Sequence, residues 1–192
     1  MNKYMKTLVL VGVAASLFGC ASPKMNLSVP LEKEITPKPD KALVYFIRPS
    51  KLGFAIHAAV YDDETFIGMV PYGQKLPYFA SPGPHRYMVV SEAADFLTAD
   101  LAAGKTYYIE VVPRMGAWRA RFSIDPVTKE ELQTADVKNQ IAKARLIANN
   151  QKAHDWATEN HPSVLAKKTK YLEKWNAKPD SEKPSLKATD CE

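Results

Sequence analysis

The stretch "LAAGKTYYIEVV", residues 101–112, decides between two folds, because Gly104-Lys105-Thr106 can end a phosphate-cradling loop or open a β-strand. A phosphate loop needs Gly-x-x-x-x-Gly-Lys-Ser/Thr, whose first glycine lets backbone N–H groups curl round the phosphates before a helix begins at the Lys-Thr pair. Here the first-glycine position is Ala99, and Thr106, Tyr107, Tyr108, Ile109, Glu110, Val111 and Val112 form a β-branched and aromatic run. Both requirements fail. Ala103-Gly104 is read as a turn feeding a strand, and no nucleotide is expected.

Outward from that strand, residues 41–125 repeat the same pattern at intervals of about ten residues. The segments "ALVYFIR" (42–48), "HAAVYD" (57–62), "TFIGMV" (65–70), "KLPYFA" (75–80), "HRYMVVS" (85–91), "FLTADL" (96–101) and "WRARFSI" (118–124) complete the series. Alternation predicts that Trp118, Ala120, Phe122 and Ile124 face inward, as do Leu97, Ala99 and Leu101. Asp62-Asp63-Glu64, Pro71-Tyr72-Gly73, Pro82-Gly83-Pro84 and Met115-Gly116 supply turn chemistry. No long helical pattern interrupts the strands, so the expected fold is mainly β, a small antiparallel sandwich over residues 41–127.

Several of these residues occur in an order that resembles a known family. Tyr45-Phe46-x-Arg48-Pro49, Ile67-Gly68, Pro82-Gly83-x-His85 and Ala103-Gly104-Lys105-Thr106-Tyr107-Tyr108 resemble the bacterial lipoprotein family catalogued as domain of unknown function 2846. The resemblance covers roughly residues 40–127 and implies a β-sandwich akin to prealbumin-like or carboxypeptidase-regulatory-like modules. It implies no activity or catalytic residue. Arg48, Pro49, Gly68, Pro82, Gly83, His85, Gly104, Lys105, Tyr107 and Tyr108 are its signature and turn positions.

At the N-terminus, Lys3 and Lys6 precede an apolar run from Leu8 to Phe18 and then Gly19-Cys20. The run is too short to span a bilayer and fits the hydrophobic region of a signal peptide over residues 1–19. Leu17-Phe18-Gly19-Cys20 resembles the lipobox of bacterial lipoproteins, which implies that Cys20 becomes a diacylglycerol-modified first residue. An ordinary secretory signal and an uncleaved anchor are the alternatives. Acyl chains contribute about 0.8 kcal/mol per buried methylene, so such an anchor holds without a transmembrane helix. Ala21, where an acidic residue is absent, resembles the sorting pattern of outer-membrane lipoproteins facing the periplasm. Residues 20–40 hold four prolines and no apolar period, so they are read as a tether, reaching at most about 66–72 Å if extended.

After Pro126 the pattern turns helical, with a Thr128-x-x-Glu131 capping box. Val137, Ile141, Ala144 and Ala148 fall at helical spacing, and a second helix is predicted to start at Pro162. That helix carries Val164, Leu165, Leu172 and Trp175 as an apolar stripe, with Lys167, Lys168, Lys170 and Lys174 as a solvated or membrane-facing surface. The helical extension is set at residues 128–177, and the polar residues 178–192 are expected to be disordered.

Twenty-six Lys and Arg against 21 Asp and Glu give +5; without Lys3 and Lys6 the balance is 24 against 21, or +3. That is too mild to imply nucleic acid. With Cys20 acylated, Cys191 has no partner for a disulfide within the chain. His57, His85, His154 and His161 lack metal-pair spacing, so neither metal nor cofactor is expected. Ser81 and Ser91 lack a nucleophile elbow, and Asp62-Asp63 reads as a hairpin turn rather than a carboxylate pair. Arg48 before Pro49 is a candidate to pair with a carboxylate or an anionic ligand, but as a single arginine at a strand end it is expected to close a turn or face solvent. The resulting expectation is a non-catalytic envelope lipoprotein, anchored to the lipid bilayer through Cys20, whose sandwich binds another envelope protein. A carbohydrate- or peptidoglycan-binding lipoprotein is the alternative, motivated by Tyr45, Tyr61, Tyr72, Tyr78, Tyr87, Tyr107 and Tyr108.

Overall fold

The fold is that of a computed structural model, which describes residues 27–33, 35–115 and 121–192. Nine strands come first: β1 (Ser28–Pro30), β2 (Ala42–Ile47), β3 (Ala59–Asp62), β4 (Thr65–Met69), β5 (Gln74–Ala80), β6 (Gly83–Val90), β7 (Ala94–Leu101), β8 (Thr106–Arg114) and β9 (Arg121–Pro126). Then follow α1 (Lys129–Leu132), α2 (Ala135–Lys143), β10 (Arg145–Asn149), α3 (Gln151–Asn176) and β11 (Ser185–Leu186). One sheet has the order β1-β10-β5-β2-β8-β9 and the second β11-β7-β6-β3-β4. They form a β-sandwich with a helical extension.

Alternation sorts the side chains into layers. Val44, Phe46, Tyr107, Ile109, Phe122 and Ile124 of the first sheet meet Val60, Tyr87, Val89, Leu97, Ala99 and Leu101 of the second in the central core. The opposite faces of the same strands are also covered: Leu43, Tyr45, Ile47 and Tyr108 pack with Leu132, Val137 and Ile141 of α1 and α2. Tyr61, Met69, Met88 and Phe96 pack with Ala153, Val164 and Trp175 of α3. Burial on both faces explains why β2 is buried at all of its six positions rather than at alternate ones. The expected inward positions Leu97, Ala99, Leu101, Phe122 and Ile124 are buried. Trp118, Ala120 and Gly116, the signal peptide over residues 1–19, and Cys20 lie outside the described residues.

Several expectations are corrected. The sheets are mixed: β2 pairs parallel with β8, β5 with β10 and β7 with β11. Each parallel partner returns through a long crossover, which turn chemistry cannot reveal. The segment 20–40 is not all tether, because Ser28–Pro30 pairs antiparallel with β10 and Leu27 is buried. Proline is compatible with this edge strand, where no ladder N–H is required of it. Thr128 and Glu131 form the expected capping box. Ala144, however, ends α2 and Ala148 belongs to β10. The long helix begins after Asn150, whose side chain accepts the Ala153 N–H, and passes through Pro162 instead of starting there.

The tail 178–192 is ordered. Leu186 is fully buried in the central core, and Thr106 and Glu192 exchange backbone hydrogen bonds at 3.4 and 3.0 Å. Asp190 is buried and accepts from the Lys129 and Lys187 N–H groups, and Tyr107 Oη donates to Ala188 O at 3.0 Å. One apolar side chain in a matching gap and a row of backbone bonds outweigh polar composition, which is averaged over the segment and blind to both.

Candidate functional site

Arg48 follows the last residue of β2 and is the largest fully buried side chain among the described residues. Its Nη1 donates to Ile56 O (2.9 Å) and Val70 O (3.3 Å), and its Nη2 donates to Leu52 O (3.2 Å) and Gly53 O (2.6 Å). The guanidinium also lies over the Phe122 ring, 4.4 Å from its centroid. Burial lowers its pKa to about 10, still far above neutrality, so it remains charged and is solvated by carbonyl dipoles in place of water. Arg48 N donates to Gln74 O and Gly73 N to Arg48 O, so one residue ties the β2–β3 loop to the β4–β5 turn. Leu52 (46%), Phe54 (59%) and Tyr72 (41%) stand exposed on these two segments. The expected turn-closing role of Arg48 is therefore realised, and the solvent-facing alternative is not.

At the opposite end of the sandwich, Asp62 gathers side chains from both sheets. Its Oδ2 stands 2.8 Å from His85 Nδ1 and accepts from Tyr78 Oη at 3.1 Å. Burial and the Asp62 charge push the Tyr78 hydroxyl up to about 12. His85 stacks on Tyr87, whose hydroxyl is pushed up by burial. His85 Nε2 lies 2.9 Å from Ser81 O and 3.4 Å from Ser81 Oγ. These residues have the composition of a nucleophilic triad, yet the shorter contact is to a carbonyl, which only accepts. The ring is therefore oriented by the Ser81 carbonyl and the Asp62 carboxylate, with the Ser81 hydroxyl at the longer distance. The arrangement ties the β3–β4 hairpin to the β5–β6 turn. Asp63, at φ 52°, makes that hairpin as the turn reading required. Sequence reasoning missed the cluster because Asp62, Tyr78, Ser81 and His85 share no spacing motif.

The remaining signature positions are structural. Gly68 lets Asn149 approach; a Cβ there would overlap the Asn149 amide and stand 2.6 Å from Leu76 Cδ2. The Asn149 side chain donates to Ile67 O at 2.7 Å and accepts from Met69 N at 3.2 Å, joining β10 to the second sheet. Gly104, at φ 71°, makes the turn after β7 and donates to Lys41 O, while Lys105 O accepts from Leu43 N. Tyr107 Oη accepts from Ala102 N, and Tyr108 stacks on Tyr45 and donates to Glu192 Oε2. Pro82 and Gly83 lead into β6, with Gly83 at φ 108°. Arg48 and Pro49 sit at one end, and Pro82, Gly83, His85, Gly104, Lys105, Tyr107 and Tyr108 at the other. The signature therefore braces the fold at two ends and does not converge on one site.

A third feature is an open cleft of about 620 Å³ between β9, the upper part of β7 and the C-terminal segment. Arg114 donates to Ser123 Oγ (2.6 Å) and Asp125 Oδ2 (3.0 Å) on one wall. Asp95 accepts from the Phe96 and Ile124 N–H groups between β7 and β9, and burial raises its pKa. Lys178, Lys183 and Tyr171 line the other side. Of Lys167, Lys168, Lys170 and Lys174, two dock the helix: Lys168 pairs with Asp63 and Glu64, and Lys167 donates to Ser91 O. Tyr45, Tyr61, Tyr87, Tyr107 and Tyr108 are buried, so the aromatic crowding is mostly core.

Among the described residues no His, Cys, Asp and Glu group suits a metal, and no helix is long and apolar enough to cross a membrane. Compared with family models, curated proteins and solved structures, the chain matches none.

Proposed function

We propose that this protein is a lipid-anchored bacterial envelope lipoprotein, held at the outer membrane through acylated Cys20 and facing the periplasm, whose β-sandwich binds another envelope protein without catalysis. The observation that carries the binding role is the cleft, where Arg114, Asp125, Asp95 and Lys178 place charges of both signs beside the β9 edge of the first sheet. Such a surface favours a polypeptide partner, because mixed charge selects register while edge backbone groups recognise an extended segment. The non-catalytic part is supported by His85, whose Nε2 is engaged with the Ser81 carbonyl. The residue pattern resembling domain of unknown function 2846 and the lipobox support the anchor. The sacculus-binding alternative draws on Tyr72 and Tyr171, the tyrosines left at the surface and at the cleft.

A photo-crosslinking residue at Lys178 in the native host should capture one reproducible envelope protein, and Arg114→Glu should abolish the capture. Recovery of the same proteins from a probe at Lys138, on α2, would sink the reading. The anchor is tested separately: intact mass of wild type should include the acyl chains, and Cys20→Ala should lack them.

A further inference from the structure

The position of Leu27, the first described residue, constrains which end of the molecule meets the bilayer. Leu27 is 2% exposed and packs in the cluster beneath α3. On the lipid-anchor reading, only residues 21–26 separate Cys20 from this packed residue, and seven Cα steps reach at most about 25 Å. Leu27 O accepts from Asn150 N, Ser28 pairs with Asn149, and the Asn149 amide accepts from Met69 N. Met69 ends β4 and directly precedes Val70, whose carbonyl Arg48 holds. The tether therefore enters the fold close to the end braced by Arg48.

That end has the chemistry of a lipid-facing surface. It exposes Leu52, Phe54 and Tyr72, three of the five large apolar side chains that are exposed among the described residues. The segments 48–58, 70–73 and 143–145 contain no Asp or Glu, and Lys51, Lys143 and Arg145 on them are exposed. Arg145 N donates to Gly73 O, which places the last of these segments beside Tyr72. Apolar tips ringed by cations suit the boundary between acyl chains and anionic headgroups. Because Arg48 holds both loops from beneath, little ordering is required of them on contact.

We propose that this loop end lies on the anionic bilayer that the Cys20 acyl chains enter, with Leu52 and Phe54 at the acyl boundary and Lys51, Lys143 and Arg145 facing lipid phosphates. The inference rests on the lipid-anchor reading above. It turns the His85 end away from the membrane.

The test uses the full-length protein purified from host membranes, carrying Phe54→Trp, in vesicles of phosphatidylglycerol and brominated phosphatidylcholine. The emission that Phe54→Trp adds over wild type should be blue-shifted and at least halved by the bromines. Lys105→Trp, at the opposite end, should add water-like, unquenched emission. Intact mass of the same samples reads acylation. Acylated protein in which the added Phe54→Trp emission is water-like and unquenched overturns the proposal and leaves the anchor standing. Unacylated protein with unquenched emission overturns both, whereas unacylated protein with quenched emission supports the lipid-facing end and removes the anchor.

Discussion

Arg48 is a buried cation with no carboxylate partner among the described residues, and its four carbonyl partners explain how it is tolerated. Removing it strands those carbonyls, of which Val70 O is buried and the other three are part-buried. Arg48→Ala should therefore lower stability by on the order of 3–5 kcal/mol, read as an earlier urea midpoint. Arg48→Lys should recover only part of the loss, since one ammonium cannot reach four acceptors in a fork. Asp95 makes the opposite case. Desolvation raises its pKa in the fold, so the ionised form opposes folding near neutral pH. That opposition is relieved as pH falls through the folded value towards the unfolded one, about 4. Asp95→Asn keeps an acceptor oxygen without the charge. Its melting temperature should exceed that of wild type at neutral pH, and the difference should shrink on acidification.

The elements show where local pattern suffices and where it fails. Strands were legible from alternation and turn residues because each is built from contacts of near neighbours. β11 was not legible: two residues, Ser185 and Leu186, are too short for any period, and their partner Thr98-Ala99 lies far away in the chain. Its worth is measurable. Leu186 is fully buried, so Leu186→Ala should lower stability by about 2–5 kcal/mol, where a disordered tail would give no change in denaturation midpoint. Within α3, Pro162 is legible as a helix start only if the turn before it is ignored. The Asn150 cap and the burial of Ala153, Val164 and Trp175 against the second sheet carry the helix through it.

At the scale of the molecule, three cores lie between four layers: α1 with α2, the first sheet, the second sheet, and α3. The division into sandwich and helical extension is one of chain order only, because Ile147 from β10 and Leu186 from β11 complete the central core. A shared core predicts one cooperative transition. Tryptophan fluorescence, to which Trp156 and Trp175 of α3 contribute, and far-UV circular dichroism of the sheets should give coincident urea transitions. Separated midpoints would show that α3 docks on a sandwich that is stable alone.

The candidate sites were the least legible part. His85 and Arg48 were singled out by order along the chain, but their partners Asp62, Tyr78 and Ser81, and the loop carbonyls from residues 52, 53, 56 and 70, are joined only by folding. The sequence by itself determined the mainly β class, the turns at Asp63 and Gly104 and the Thr128 cap, since alternation, φ preference and side-chain capping act within a few residues. Only the tertiary structure decided the parallel pairings, the inclusion of Ser28–Pro30 and the tail, the buried state of Arg48 and the cleft. Those depend on which distant segments meet, and burial, hydrogen-bond completion and steric fit are settled only when they do.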